Sequence, residues 1–206
     1  MGLAKDIVKE NKKILLLTLA LFVVSIIGVF LLNQNFLNSN PTIIERTTYS
    51  KPENVLEKGV DYKAVIKTEY GDINIDLLEQ EAPNAVNSFI FLVGENFYDG
   101  LSFHRVIEDF VIQAGDNLGN GEGDPGYDLE VDKNQLEVDE YTVCMVNGSQ
   151  FFIVLRGANI DDIEQYPVVG EVTSGFAVVD AIEKVNVDKN YKPLNDVTIS
   201  SILIIE

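Results

Sequence analysis

The sequence predicts a mainly β protein: a closed antiparallel β-barrel with a helix at each end, preceded by one transmembrane helix. Three observations support this prediction. The C-terminal three quarters contain many short runs of alternating apolar and polar residues, only two segments show helical periodicity, and a 19-residue apolar run lies near the N-terminus. Because strands and helices do not alternate regularly, a parallel sheet with crossover helices is disfavoured.

The apolar run ILLLTLALFVVSIIGVFLL covers residues 14–32. At 1.5 Å per residue it spans roughly the 30 Å hydrocarbon core of a bilayer. Four lysines precede it and the next basic residue is Arg46, so the positive-inside rule predicts a cytoplasmic tail at 1–13 and an extracytoplasmic C-terminal part. A cleaved signal peptide would have a shorter apolar region and a small-residue cleavage site, whereas NQNFLNSN follows here. We therefore expect an uncleaved single-span membrane anchor.

Residues 33–60 lack long apolar periodicity and are rich in Asn, Ser, Thr and Pro, which is typical of a linker. We interpret them as a stalk between the membrane and a domain that covers residues 61–206. The alternative is that part of the stalk, VLEKGV at 55–60, packs on that domain.

Within the domain, YKAVIKTEYGDINIDLL is two alternating runs broken at Tyr70–Asp72, a β-hairpin pattern. The next segment, APNAVNSFIFLVGENF, has Pro83 at a helix-start position and apolar residues at helical spacing. A second helical pattern is FAVVDAIEKV. The remaining predicted strands are LSFHRVI, DFVIQAG, YTVCMV, QFFIVL, PVVGEV and DVTISSILII.

Composition excludes some classes of function. Beyond residue 32 the chain carries 11 basic and 31 acidic side chains, a net of −20, which repels nucleic-acid phosphates. We expect no nucleic-acid partner. The single cysteine, Cys144, lies in the apolar run TVCMV, so no disulfide forms within the chain, and no Cys/His cluster is present to bind zinc. A buried, small apolar role fits Cys144 better than a nucleophilic one.

The only histidine, His104, precedes Arg105 in a strand-like run. Alternation places the two side chains on opposite faces, so we expect His104 to be a structural histidine, hydrogen-bonded within the barrel, rather than a general base for Ser149 or Cys144. Arg105 either faces solvent or crosses an apolar groove. With Gln113 and several phenylalanines nearby in sequence, a groove that binds an amide beside an apolar ring is favoured.

Two long motifs, FYDGLSFHRVIEDFVIQAGD and NGSQFFI, resemble the cyclophilin-type peptidyl-prolyl cis–trans isomerases. The hairpin with its Gly-Asp turn, the loop GEGDPGY and the segment PVVGEVTSGFAVVDAIEKV follow in the family's order. The resemblance covers about residues 62–206. It implies a closed eight-stranded antiparallel barrel capped by two helices, with no cofactor or metal.

The resemblance also implies the roles of individual residues. Arg105 would hydrogen-bond the substrate around the prolyl amide, and Gln113 would orient Arg105 and contact the substrate. The substrate-binding residues would be Phe110, Val111, Gly121, Gln150, Phe152 and Tyr166. Of these, Val111 stands where the family usually has methionine, and Tyr166 where it usually has a histidine.

Two further departures concern the substrate groove. Only Val146 separates TVCM from NGSQ, where the family usually carries a longer segment whose backbone pairs with the bound peptide. IDDIEQY replaces a stretch that usually contains a tryptophan, and Ile160 or Ile163 is the candidate for the apolar wall.

From the resemblance and the predicted membrane anchor we expect a prolyl isomerase that acts on X-Pro bonds of unfolded or exported chains outside the membrane. The alternative is a catalytically weak peptide-binding or chaperone module with the same fold.

Overall fold

A computed structural model describes residues 48–130, 132 and 136–206. Its strands, in chain order, are β1 (Lys63–Thr68), β2 (Gly71–Leu77), β3 (Arg105–Ile107), β4 (Val111–Ala114), β5 (Thr142–Met145), β6 (Phe151–Val154), β7 (Val168–Ser174) and β8 (Ile199–Ile205). Helix α1 (Pro83–Gly94) lies between β2 and β3, helix α2 (Phe176–Glu183) between β7 and β8, and a short 3-10 helix (Ile160–Asp162) precedes β7. The mainly β fold with eight strands and two helices is thus confirmed.

The eight strands form one curled antiparallel sheet in the order β3-β4-β6-β5-β7-β2-β1-β8. The prediction of a closed barrel is wrong, because the edge strands β3 and β8 share no ladder. On the side facing β3, the start of β8 meets only the segment ahead of β3 among the described residues, through the isolated bridge between Ser102 and Thr198 and the hydrogen bonds of Ile199 with Gly100 and Leu101. In this antiparallel register β3 lies opposite residues that precede β8, so the two edge strands cannot pair along each other.

The main core lies on the inner face of the sheet, under α1. Phe89 of α1 packs edge-to-face on Phe151 of β6, with ring centroids 5.7 Å apart. The residue before the helix, Ala82, offers no side-chain cap, and Asp132 replaces it: its carboxylate accepts the Ala85 N–H at 2.8 Å and that of the preceding residue at 3.2 Å. A carboxylate at this position also opposes the positive end of the helix dipole. The cap therefore ties the first turn of α1 to Asp132, a residue outside the sheet.

The described part of the predicted stalk lies against the domain. The Val55 N–H donates to Asn87 Oδ1 at 2.8 Å, and the Asn87 side chain donates back to the Glu53 carbonyl at 2.9 Å. Val55, Leu56 and Val60 are partly buried against the core. For residues 55–60, packing on the domain, the alternative that the sequence left open, is the arrangement found.

The predicted membrane anchor at 14–32, the tail at 1–13 and the first part of the stalk lie outside the described residues. In the part of the chain that the structure describes, no helix combines the length and the apolar character needed to cross a bilayer.

Candidate active site

Three strands bring the central side chains together. In the register of β3 with β4, Arg105 lies opposite Gln113, and in that of β4 with β6, Gln113 lies opposite Phe152. Opposed residues of neighbouring strands point to the same face of a sheet. Their sequence neighbours Ile112 and Phe151 belong to the main core, so the three side chains form a row on the outer face.

A chain of hydrogen bonds holds the arginine. Arg105 Nη1 donates to Gln113 Oε1 at 3.2 Å, and Gln113 Nε2 donates to Gln150 Oε1 at 2.9 Å. Gln150 Nε2 in turn donates to the carbonyls of Gly123 at 2.7 Å and Gly121 at 3.2 Å. We call this series from Gly121 and Gly123 to Arg105 the relay. The side chains of Gln113 and Gln150 each accept a hydrogen bond through the oxygen and donate through the nitrogen. The relay therefore fixes the guanidinium while using one of its five donors.

An apolar pocket of about 170 Å³ opens beside the arginine. The Arg105 guanidinium carbon lies 5.8 Å from the centre of the Phe110 ring. The Phe152 and Tyr166 rings, which also line the pocket, meet edge-to-face with centroids 5.4 Å apart. The residues lining the pocket are Arg105, Phe110, Val111, Gln113, Val146, Phe152, Asp162, Ile163 and Tyr166. The pocket thus combines apolar and aromatic side chains with two charged groups, the Arg105 guanidinium and the Asp162 carboxylate.

Most of the predicted site residues line this pocket, but two lie elsewhere. Gln150 is 2% exposed and lies behind Gln113, within the relay. Gly121 lines a neighbouring cavity of about 360 Å³ and contributes a carbonyl to the relay. Sequence reasoning missed Asp162 and Val146 as pocket residues, and Ile163, one of the two candidate isoleucines, lines the pocket. The sequence did carry a signal for Val146, since it is the one residue between the motifs TVCM and NGSQ.

Val146 lies in a tight connection between β5 and β6. Its N–H donates to the Gln150 carbonyl at 2.8 Å, and Asn147 Oδ1 accepts the Gln150 N–H at 2.7 Å and that of Ser149 at 2.9 Å. Two other hairpin carbonyls have partners outside it, since Ser88 Oγ donates to the Gly148 carbonyl and the Tyr98 hydroxyl to that of Ser149. Val146 lines both the apolar pocket and the 360 Å³ cavity, so it forms the partition between them.

His104 is buried as expected, but the expected hydrogen bonds are absent. Neither ring nitrogen has a partner among the described residues. Burial lowers the pKa of His104, and Arg105 lowers it further, against the opposing effect of Asp116. The neutral form is therefore favoured. Within the described part of the chain, no serine hydroxyl and no cysteine thiol is hydrogen-bonded to His104. The geometric basis for a nucleophile–base pair is therefore missing.

Two other titratable groups are also explained structurally. Burial raises the pKa of the Cys144 thiol to about 12, so it is protonated at neutral pH. Burial alone would raise the pKa of Asp116, but the N–H groups of Gly121 and Leu118 hold it below its ordinary value. The Asp116 carboxylate also accepts the Gly123 N–H at 2.9 Å, so it folds the loop that supplies the relay carbonyls. Among the described residues no cluster of side chains is suited to bind a metal ion.

A half-barrel with two helices and a fixed arginine beside an apolar pocket defines the class of protein, and comparisons with known proteins agree. The family model for cyclophilin type peptidyl-prolyl cis–trans isomerases matches residues 63–204. The peptidyl-prolyl cis–trans isomerase-like 3 of Gallus gallus is 38% identical over 153 residues, 68% of this chain and 93% of the relative.

Two further comparisons show how much of each protein the similarity covers. Peptidyl-prolyl cis–trans isomerase cyp15 of Rhizopus delemar is 37% identical over 180 residues, and the matched part covers only 28% of that longer protein. The crystal structure of a cyclophilin-type isomerase of Cryptosporidium parvum has a TM-score of 0.63 and 27% identity, covering 71% of this chain and 99% of that one. The chain belongs to the cyclophilin-type peptidyl-prolyl cis–trans isomerases, and the enzyme class expected from its sequence is confirmed.

Proposed function

We propose that this chain catalyses cis–trans isomerisation of X-Pro bonds in unfolded or newly exported polypeptides, on the extracytoplasmic side of a membrane. The observation that carries the proposal is the relay, which holds Arg105 at the rim of an apolar pocket. A related structure was determined in the presence of the dipeptide Ala-Pro, at a TM-score of 0.61 and 27% identity. Proline-containing peptides are therefore the substrates proposed for this pocket.

The chemistry follows from the peptide bond itself. Its partial double-bond character sets a rotation barrier of about 18–20 kcal/mol. When the bond twists, the prolyl nitrogen becomes pyramidal and gains a lone pair that accepts a hydrogen bond. Arg105 is the donor for that nitrogen, while Phe110 and Phe152 hold the proline ring. Each 1.4 kcal/mol or so gained in the twisted state raises the rate about tenfold.

The proposed location rests on the sequence of the N-terminal region. Residues 14–32 are long and apolar enough for one span, and the four lysines before them favour a cytoplasmic N-terminus. Outside the membrane, exported chains with X-Pro bonds fold slowly because uncatalysed isomerisation takes roughly tens to hundreds of seconds.

A matched pair of cysteines tests this topology. In intact cells, a membrane-impermeant maleimide should label a Lys58→Cys chain and leave a Lys5→Cys chain unlabelled. The native Cys144 is buried and does not interfere. Labelling of Lys5→Cys alone would reverse the proposed orientation, and labelling of neither would overturn the extracytoplasmic location.

The second candidate function is a peptide-binding module with little turnover. The short hairpin at Val146 favours it, because it leaves less backbone than the family usually offers to an extended peptide. Binding requires the pocket alone, whereas catalysis also requires the fixed donor. The two functions therefore differ in their dependence on Arg105.

Exchange NMR on an Ala-Pro-containing peptide decides between them, with the full chain in non-ionic detergent. We expect wild type to accelerate exchange and Arg105→Ala to lower kcat/KM by about 10- to 100-fold, the worth of a hydrogen bond from a charged donor. The matched control is Arg156→Ala, an exposed arginine paired with Glu140, which should change kcat/KM less than about twofold. Peptide binding without accelerated exchange would select the second candidate.

A further inference from the structure

Residues 48–60, which we call the strap, lie ahead of the region matched by the family model. We propose that the strap is a positioning element of the active site: it clamps the loop 121–126, whose carbonyls hold the relay, and so keeps Arg105 aligned. This inference rests on the proposed isomerase function and assigns part of that function to a segment outside the matched domain.

The strap grips the outer side of the loop. The Tyr49 N–H donates to the Pro125 carbonyl at 2.8 Å, and the Tyr49 ring packs edge-to-face on Phe91 of α1 at 5.2 Å. The next loop residue, Gly126, has φ of +96°, and a Cβ there would lie 2.8 Å from Thr48 Cβ and from the Tyr49 carbonyl. The two segments are therefore in full contact, with no space for a side chain between them.

The hairpin between β5 and β6 grips the inner side of the same loop. Gln150 Nε2 donates to the Gly123 carbonyl at 2.7 Å, and Asn147 Nδ2 donates to the same carbonyl at 3.1 Å. Gly148 packs directly against Pro125, since a Cβ at Gly148 would lie 2.7 Å from the proline ring. The loop is held between the strap and the hairpin, and the relay begins at the inner contact.

The loop depends on these two contacts because it has little regular structure. No strand or helix is present from 115 to 130. Side chains supply the loop's internal anchors: the Asp116 carboxylate accepts the N–H groups of Leu118, Gly121 and Gly123, and the Asn117 amide donates to the Asp124 carbonyl at 2.9 Å. A segment with few ladder hydrogen bonds opens at low free-energy cost. Releasing its outer side would let the Gly121 and Gly123 carbonyls move, and the Gln150 amide with them.

Three variants of the full chain in non-ionic detergent test the proposal. Tyr49→Ala removes the ring that holds the strap on α1, Tyr49→Phe keeps that ring, and Val55→Ala truncates a strap residue packed on the core away from the loop. We expect Tyr49→Ala to lower kcat about three- to tenfold with KM changed less than about twofold, because alignment of Arg105 affects the transition state more than binding. Tyr49→Phe and Val55→Ala should stay within about twofold of wild type in kcat.

Hydrogen exchange supplies a readout that is independent of turnover. Tyr49→Ala should speed amide exchange in residues 117–126, whereas Val55→Ala should not. Equal kcat losses in Tyr49→Ala and Val55→Ala would overturn the proposal, because they would report general destabilisation. If the wild type shows no turnover, the proposed function fails on its own. Exchange then decides the strap: faster exchange at 117–126 in Tyr49→Ala supports clamping, and unchanged exchange overturns it.

Discussion

The two walls of the pocket are built in different ways. The strand wall consists of Arg105, Gln113 and Phe152, which are neighbours across three paired strands. The loop wall consists of Ile163 and Tyr166, which follow the short 3-10 helix Ile160–Asp162 and belong to no strand. Backbone ladders therefore fix one wall, whereas side-chain packing and local turn hydrogen bonds, such as that of the Tyr166 N–H with the Ile163 carbonyl at 3.1 Å, fix the other.

The strand wall supplies the polar groups proposed for catalysis, whereas the loop wall shapes the pocket that receives the peptide. The strand wall carries both polar groups of the proposed catalytic pair, at positions set by hydrogen-bonded register. A one-residue slip in this register would send every side chain to the opposite face, so the arrangement is strongly specified. The loop wall adds apolar surface opposite Phe152, with Tyr166 as its contact. We expect substitutions in the strand wall to affect turnover and stability, and those in the loop wall to affect mainly peptide affinity.

The largest expected effect is on stability, from truncating one ring on each wall. Phe152 is 3% exposed and Tyr166 is only partly buried. Phe152→Ala should lower the free energy of unfolding by about 3–5 kcal/mol, the usual cost of removing a buried phenylalanine ring. Tyr166→Ala should cost roughly 1–2 kcal/mol, because less apolar area leaves the interior. Urea unfolding of both variants measures the difference.

Each ring substitution carries its own control. Tyr166→Phe keeps the ring in contact with Phe152, so it should retain wild-type stability to within about 0.5 kcal/mol. Similar losses of stability in Phe152→Ala and Tyr166→Ala would contradict the distinction between the walls.

A second, smaller effect concerns the relay behind the strand wall. Gln113→Ala leaves the Arg105 guanidinium and the buried Gln150 amide without their shared partner. We expect kcat/KM for an X-Pro peptide to fall about tenfold. Adding Gln150→Ala should then cost less than it does in the wild-type background, because residues of one hydrogen-bond network are not additive.

The loop side offers a matched control for the relay. Gln165 is exposed near the loop wall, and its side chain donates to the Asp162 carbonyl at 3.0 Å. Gln165→Ala should change kcat/KM by less than about twofold. Additive losses in Gln113→Ala and Gln150→Ala would show that the two glutamines act separately.

The same contrast explains how far the sequence could predict the site. Alternation in DFVIQAG and QFFIVL placed Gln113 and Phe152 on strands, and two paired strands fix which side chains meet. The segment of the loop wall shows neither helical nor strand periodicity, so the sequence does not distinguish Ile160 from Ile163 as the residue of the apolar wall. Val146 was visible as the one residue in a shortened connection, but its place between two cavities depends on the three-dimensional packing of the hairpin.

Long-range contacts account for the other differences. Asp132 caps a helix that begins at Pro83, and no local pattern joins residues so far apart. The polar composition of the strap predicts a linker, and it gives no indication of contacts such as the hydrogen bond of Tyr49 with Pro125. Barrel closure failed for a similar reason, since alternation predicts that β3 and β8 exist but does not predict which edges meet.

The smallest expected effect comes from His104, which adjoins the strand wall and whose ring nitrogens have no hydrogen-bond partner in the described part of the chain. Burial holds the pKa of His104 below its ordinary value of 6.5, so the unfolded chain binds its proton more readily than the folded one. Its contribution to stability is therefore fully present above pH 6.5 and is lost as the pH falls through the lower, folded value, at up to about 1.4 kcal/mol per pH unit. The lowered pKa of Asp116 acts only below its ordinary value of 3.8, outside this range.

His104→Leu isolates this effect because His104 is the only histidine in the chain. We expect the wild-type free energy of unfolding, measured by urea titration at several pH values, to decline as the pH falls below about 6.5. His104→Leu should flatten that decline, and at pH 7 it should keep kcat/KM within about twofold, because the buried imidazole is not among the described residues that line the pocket. A large loss of turnover in His104→Leu with unchanged stability would contradict this prediction, because it would show that the imidazole takes part in catalysis and not only in the fold.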